Sequence, residues 1–509
     1  MSQVRNTVLL FFTQIALKGS SFIKQLLLAY FLGVSKNVDL LIIAQLIPTL
    51  IGSVLSGGAG EIMAIQFRID SLKNTHLIAL STIALVVITI LANLFYLVSI
   101  PFIATLIGVQ NGDMELFLQL TILVIISKIP LSVVSSLQQF IYVKKAYRAS
   151  LYLSLAAEII GLFLILLTSK ELGILSFAFA LVLSSIINAG GYVYLLKINF
   201  LICIRKRVWR VYYQKLRETF LRIASLGLQT IINQLSSLAE RSIGFRYLAE
   251  GYIGAMNYAK SVTELPRIIL LSSILTTTYA EQIRLKAENE QSYLDYSKKM
   301  SDVLSTFAFI AQLFSLVFAP FIIIVLFKRG AFDESDVYLT MTIYQVLSLG
   351  FVPGLMLGFL SRIMFIEGKN TWMFHATLVK TIVELVLMYA LIFHFNQGIP
   401  MALTMGKIFF IILIFYYLKR NKPDIMDTKK FMVRFGFIFA LSILLLLINK
   451  VIVSCILSIS IFHVLLLFCP LLIIFIFFSL RITLMMHPEI ERVFLRLPVF
   501  KLFVKKRYV

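Results

Sequence analysis

The residues of this chain that could do chemistry are charges set inside apolar runs. Lys18 and Lys24 fall in the first run, Asp39 opens the second and Glu61 lies farther along it. Glu240, Arg241 and Arg246 fall in a run over 221–249, and Lys260, Glu264 and Arg267 in the next, over 253–281. Lys128, Glu158, Arg362, Lys380, Glu384 and Lys407 are distributed among others. A charge in hydrocarbon costs several kcal/mol, so such side chains turn toward a protein interior or a watery cavity. Taken together, the runs that hold Lys18, Arg241 and Lys260 are net basic, and fixed cations in low-dielectric surroundings suit an anion such as phosphate or pyrophosphate. Lys260, Glu264 and Arg267 follow an i, i+4, i+7 spacing and share one helix face. Lys18 and Lys24 lie about 240° apart on an ideal helix, so they share a cavity only if Gly19-Ser20-Ser21 bends it. Lys380 and Glu384 are one turn apart. They form either a buried ion pair or a coupling site in which the Lys380 ammonium replaces a sodium ion or proton.

No catalytic signature accompanies these charges. There is no phosphate-binding GxxxxGK[ST] and no HExxH, and His76, His375, His394, His463 and His487 are dispersed. Cys203, Cys455 and Cys469 have neither metal nor disulfide spacing. The loops are too short for an ATPase or glycosyltransferase domain. We therefore expect no enzyme, no metal and no cofactor, with any active transport drawing on a Na+ or H+ gradient or the membrane potential.

The elements that must position the charges are membrane helices. The 509 residues are 60% hydrophobic and 14% charged, well outside the soluble range. Apolar runs of about 20 residues number about fourteen. They lie near 7–33, 39–66, 77–107, 115–143, 149–168, 172–198, 221–249, 253–281, 301–327, 337–365, 371–394, 398–418, 431–449 and 452–480. The first run carries lysines and leads straight into the second, which argues against a cleavable signal peptide. With a cytoplasmic N-terminus, the inside connections collect Arg68, Lys73, Lys144, Lys145, Arg148, Arg205 to Arg217, Arg284, Lys286, Lys419, Arg420 and the tail Lys505-Lys506-Arg507, while the outside ones hold only Lys36, Lys170, Lys328, Arg329 and Lys450. The positive-inside rule then puts both termini in the cytoplasm. The net charge of +22 reads as topology and contact with anionic phospholipids, not as a nucleic-acid surface.

The basic, aromatic segment 199–220 is expected to lie on the membrane as an amphipathic helix. It separates a lobe over 1–198 from one over 221–420, and residues 421–509 add two further spans and a basic tail. The lobes look like a repeat: Gly33 precedes Asp39 by six residues and Pro48 by fifteen, and Gly251 precedes Asn257 and Pro266 by the same intervals. Transporters built on repeats bind substrate where the repeats meet, at helices broken by Gly or Pro. Gly33, Pro48, Gly57, Gly58 and Pro266 are the candidate hinges.

The segment Phe31-Leu32-Gly33, Asp39 and Ile47-Pro48 resembles the opening of the MurJ/MviN family of lipid II flippases. That family belongs to the multidrug/oligosaccharidyl-lipid/polysaccharide exporter superfamily, which includes the MATE transporters. Asn257-Tyr258-Ala259-Lys260 with Leu265-Pro266, and Lys328-Arg329-Gly330-Ala331-Phe332 with Asp336, are similar to two further segments of that family. The resemblance implies an all-α integral membrane protein with two six-helix lobes in an inverted V and two C-terminal helices. It also implies a central cationic cavity, with Lys18 and Lys24 where the family carries arginines and Asp39 at its acidic position; Arg241, Lys260, Glu264 and Arg267, from the charges read above, join them as candidate substrate contacts. The activity implied is alternating access that moves a polyprenyl-pyrophosphate-linked saccharide to the outer leaflet of the bacterial inner membrane. The chain would act as a monomer, beside cell-envelope synthesis enzymes. Gly52 stands where the family usually has arginine, Gly57 where it has glutamate, and Lys260-Ser261 replaces Asp-Arg. Lysine supplies a point charge without the guanidinium fork. An O-antigen or capsular polysaccharide-lipid flippase is thus the alternative, followed by a cation-coupled multidrug antiporter and a non-transporting membrane scaffold.

Overall fold

A computed structural model describes residues 2–56, 63, 72–143, 147–198, 206–422 and 425–456. Its regular elements are α-helices and one short 3-10 turn at Asn111–Asp113; no strand occurs among the described residues. The helices are α1 Ser2–Leu32, α2 Lys36–Ala44, α3 Leu46–Ser56, α4 Leu72–Ile107, α5 Met114–Val143, α6 Tyr147–Leu172, α7 Leu175–Leu196 and α8 Lys206–Tyr247. They continue with α9 Tyr252–Glu288, α10 Glu290–Val317, α11 Ala319–Phe327, α12 Glu334–Ser348, α13 Phe351–Ile366, α14 Asn370–Ile392, α15 Gly398–Asn421 and α16 Thr428–Ile456.

Nine helices of the described residues are long and apolar enough to cross a membrane, or ten if the pair α12 and α13, bent by 45°, is one span. The predicted fourteen exceeds this by α1, α8, α9 and the run over 452–480. These three helices are described only in part, and the run lies almost wholly outside the described residues. On α4 the side chains of Leu91, Leu94, Phe95, Val98 and Phe102 are exposed at helical spacing, an apolar stripe that only lipid can cover.

Local sequence explains where the helices stop. Proline 48 has no N–H to give Ala44, and its ring crowds that carbonyl. The chain accordingly breaks at Gln45 between α2 and α3, and helical bonding resumes with Thr49 N–H donating to Gln45 O at 3.0 Å. Pro266, its predicted counterpart, lies inside the continuous α9. Gly57 and Gly58 lie outside the described residues. Of the segment 199–220, expected as a separate surface helix, the described residues 206–220 run without a break into the following span as the 42-residue α8. No proline or glycine stands between Lys206 and Leu226 to end it.

The helices form two compact units, each discontinuous in sequence. One comprises Met1–Ser261, Arg329–Leu339 and Thr377–Ala402. In it α7 packs against α5 and α6, and α3 packs against α4, α5 and α8. Its buried hydroxyls are paired in places, as where Ser150 Oγ and Tyr192 Oη lie 2.7 Å apart. The other comprises Val262–Lys328, Thr340–Ala376 and Leu403–Val509. There α10 packs against α13 and α16 around Phe309, Phe359, Phe415, Phe431 and Phe435. Gln312 ties the same three helices: its amide donates to Ser442 Oγ at 2.9 Å and its carbonyl accepts from Val352 N–H at 3.2 Å. An ionic node joins the ends of α9, α10, α13 and α15. Glu290 and Glu367 hold both Lys286 and Lys422 there, and the bond from Glu290 raises the Lys422 ammonium above its ordinary range.

Candidate functional site

The predicted site residues within the first unit fall into separate groups. One is a knot of turns. Alpha-1 ends at Gly33 (φ +58°) and α8 gives way to α9 at Gly251 (φ +83°), left-handed positions that favour glycine. The two turns hold each other. The carboxyl of Asp39, 2% exposed, accepts the N–H of Gly251 at 2.7 Å and of Gly254 at 2.6 Å, occupying two orphan donors at the start of α9. In return Tyr258 Oη donates to Gly33 O at 3.0 Å, and Asn257 Nδ2 donates to Gln25 Oε1 at 2.9 Å. A third turn joins them, with Gly330 at φ +65°. There Ala331 N–H donates to Tyr30 O at 2.8 Å, and Asp336 Oδ2 accepts from Val34 N–H at 2.9 Å. Nearby, Lys36 bridges Asp113 and Glu250 at 2.8 and 3.1 Å. The two turns with the same sequence intervals thus meet, with an acid near one capping the helix that follows the other.

The second group is a set of ion pairs. Lys24 Nζ lies 2.5 Å from Glu158 Oε2 on α6. Gly161, one turn on, lies beside it: a Cβ there would stand in ordinary contact, 3.6 Å from Nζ. Lys260 is paired with Glu240 on α8, a carboxylate only 3% exposed. Lys380 Nζ lies 2.9 Å from Glu384 Oε2, and Ser236 Oγ donates to the same carboxylate at 2.6 Å. Glu384 is buried while Lys380 is half-buried.

The remaining predicted residues stand apart. Helix α1 is continuous through Gly19-Ser20-Ser21, where Ser20 Oγ donates back to Leu17 O at 2.8 Å. Lys18 therefore stays on a different side of α1 from Lys24, and it is exposed. The bend that would bring the two together is absent because serines that bond back to carbonyls fit within a helix. Arg241 is half-buried and makes no ion pair with a described residue. Glu264, at the position facing Lys260 along α9, is exposed and not engaged by it. Pro266 and Arg267 lie in the helical backbone of α9, and their side chains are outside what is described.

Chemically, each pair balances an ammonium with a carboxylate inside the helical unit. No group of three or more His, Cys, Asp or Glu able to hold a metal occurs among the described residues.

The family model of the lipid II flippase MurJ matches residues 28–468. The chain belongs to the MurJ family. No curated protein sequence matches it. Among solved structures it is similar to a lipid II flippase MurJ in an inward closed conformation, with TM-score 0.72 and 15% identity over 96% of this chain and 99% of that one. It is also similar to an inward-facing multidrug-resistance MATE transporter of the MOP superfamily, with TM-score 0.58 and 13% identity over 82% and 95% of the two chains. A MOP-superfamily transporter from Pyrococcus furiosus, described as having a binding pocket of reverse polarity, gives TM-score 0.53 and 13% identity over 82% and 96%. The chain is thus a multi-pass membrane protein with the MurJ and MATE-like fold, in a family of flippases for a lipid-linked precursor.

For this member of the MurJ family, sequence reasoning passed over the counter-ions. Glu158 and Glu240 stood out as charges within apolar runs, but nothing local paired Glu158 with Lys24 or Glu240 with Lys260. Each pair joins helices far apart in the chain. Asp336 was legible only as part of a family-like segment, and its bond to Val34 spans 302 positions.

Proposed function

We propose that the chain flips a polyprenyl-pyrophosphate-linked saccharide, lipid II or a close relative, from the cytoplasmic to the outer leaflet of the bacterial inner membrane by alternating access. The match of the lipid II flippase model to residues 28–468 carries this reading. Both termini face the cytoplasm, as the loop charges require. That orientation sets the knot around Asp39, Gly33 and Gly251 at the outer end, where it latches that side while cytoplasmic substrate binds. Lys24, Arg241 and Lys260 take the pyrophosphate, with Glu158 and Glu240 balancing the charge of the two lysines until it arrives. Lys18, exposed on α1, attracts anionic head groups toward the site. Opening of the latch then releases the head group outward.

Complementation tests this. The chain should restore growth to cells depleted of their lipid II flippase. Rescue only of cells lacking an O-antigen flippase would move the substrate to the alternative class, for which Gly52 and Ser261 in place of arginines speak. Rescue of neither, together with drug resistance conferred on a sensitive host, would establish the antiporter reading instead.

The triad Lys380, Glu384 and Ser236 is the proposed coupling element, its ammonium filling the place of a transported cation. Transport by the parent should then be indifferent to sodium, and Lys380→Ala should lose at least about tenfold in rate or acquire a sodium requirement. A Lys380→Ala variant with the parent's rate and ion dependence would remove that role.

A further inference from the structure

Helices α12 and α13 meet at a 45° bend across Leu349 and Gly350. They are long enough to cross a membrane only as a pair, so the break falls midway along one span, between 15 and 16 residues of helix. Pro353 is the local cause. It has no N–H to give the carbonyl of Leu349, and its ring crowds that carbonyl. The residues around the break, 340–376, belong to the second unit, as do α10 and the part of α15 from Leu403 onward.

A continuous helix would have Gly350 N–H donate to Val346 O, and Val352 N–H donate to Ser348 O. Both bonds are exchanged here. Gly350 N–H donates to Leu347 O at 3.0 Å, and Val346 O accepts from Thr404 Oγ1 of α15 at 3.1 Å. Val352 N–H donates to Gln312 Oε1 of α10 at 3.2 Å, and the Gln312 amide donates onward to Ser442 Oγ of α16. Helical bonding resumes with Gly354 N–H donating to Gly350 O at 3.0 Å. Thr404 is 3% exposed and Gln312 fully buried, so bulk water does not stand in for either. Gly350 admits α15 to this side: a Cβ there would stand 3.4 Å from both Thr404 Oγ1 and Lys407 Cδ.

Each of the two side chains thus holds a backbone group that a straight helix would bond for itself. Straightening exchanges side-chain bonds for backbone bonds with little net change in their number, which keeps the two forms close in free energy. Thr404, once released, can turn its hydroxyl to the carbonyl of Pro400, one turn back on its own helix. Helix α13 is fixed in the core around Phe359. Helix α12 starts in the knot, where Asp336 accepts from Val34 N–H, and ends at the break. We propose that the α12–α13 break is a two-state hinge on which α12 swings during transport, with Thr404 and Gln312 as the positioning residues that hold its bent form. That the swing serves transport rests on the flippase reading; the hinge itself rests on the exchanged bonds.

The test uses the full chain in nanodiscs, freed of Cys203, Cys455 and Cys469, with spin labels at the exposed positions Tyr338 and Met405. A swing through the bend angle on an arm of about 16 Å displaces the α12 label by about 10 Å. The parent should therefore show two distance populations. Pro353→Ala returns a donor for Leu349 O, a bond that the straight form gains, and should raise the straight population about fivefold. Thr404→Val should shift the populations the same way, and Thr404→Ser should keep the parent ratio. Pro353→Ala removes no bonded group, so it should melt at or above the parent temperature. Its rescue of flippase-depleted cells should nevertheless be lost at the lowest expression level at which the parent rescues.

A single distance that neither Pro353→Ala nor Thr404→Val moves would overturn the hinge. Lost rescue that follows a lowered melting temperature in both variants, with distances unchanged, would mark the break as structural and overturn it likewise. Parent-like rescue by both variants despite shifted distances would overturn the role of the swing in transport. If the populations shift as expected but the parent complements neither flippase-deficient strain, the flippase reading fails and the hinge stands. If the parent complements and Pro353→Ala matches it in both rescue and distances, the hinge alone fails.

Discussion

Asp39→Ala should lower stability by about 3 kcal/mol or more, because it deletes the acceptor of two hydrogen bonds at once. The Gly251 and Gly254 N–H groups point at that carboxyl from 2.7 and 2.6 Å in a buried position, and alanine leaves both without an acceptor. A carboxamide in its place would keep one good acceptor oxygen and lose the favourable charge at the α9 N-terminus, so Asp39→Asn should fall between the parent and alanine. Thermal unfolding in detergent reads the stability, and the transport assay reads the consequence for the proposed latch. An Asp39→Ala variant with the parent's melting temperature would show that other contacts hold the turns together. Parent-like transport despite reduced stability would separate the cap from gating.

Lys260→Met should cost about 3–5 kcal/mol, the penalty for leaving a buried carboxylate without its partner. Glu240 is 3% exposed, whereas the Lys260 side chain is 30% exposed. The reciprocal change Glu240→Gln, which strands the wetter ammonium, should therefore cost clearly less. Combining Lys260→Met with Glu240→Gln removes both charges and should recover most of the lost stability while transport stays abolished, because the ammonium proposed to meet the pyrophosphate is gone. A double variant that transports like the parent would make the pair purely structural. No recovery of stability in the double variant would mean that Glu240 is held by something other than Lys260.

The sequence by itself determined the class of protein and the inventory of charges. Apolar runs, basic loops and the spacings from Gly33 and Gly251 are local properties. Hydrophobicity decides which helices enter a membrane regardless of their partners. The family-like segments around Asp39, Tyr258 and Asp336 were legible for the same reason. Pro48 announced its break because a proline acts on its own preceding turn, whereas Pro266 shows that the same residue is accommodated elsewhere.

Only the tertiary structure decided what each charge touches. Asp39 became a cap on α9 through bonds to residues 212 and 215 positions away. Lys24 found Glu158, Lys260 found Glu240, and Glu384 gained Ser236 across 148 positions. The physical reason is that an ion pair or cap forms over a few ångströms of space, set by which helix faces meet. Helical periodicity locates a residue on its own helix but carries no information about which other helix lies opposite.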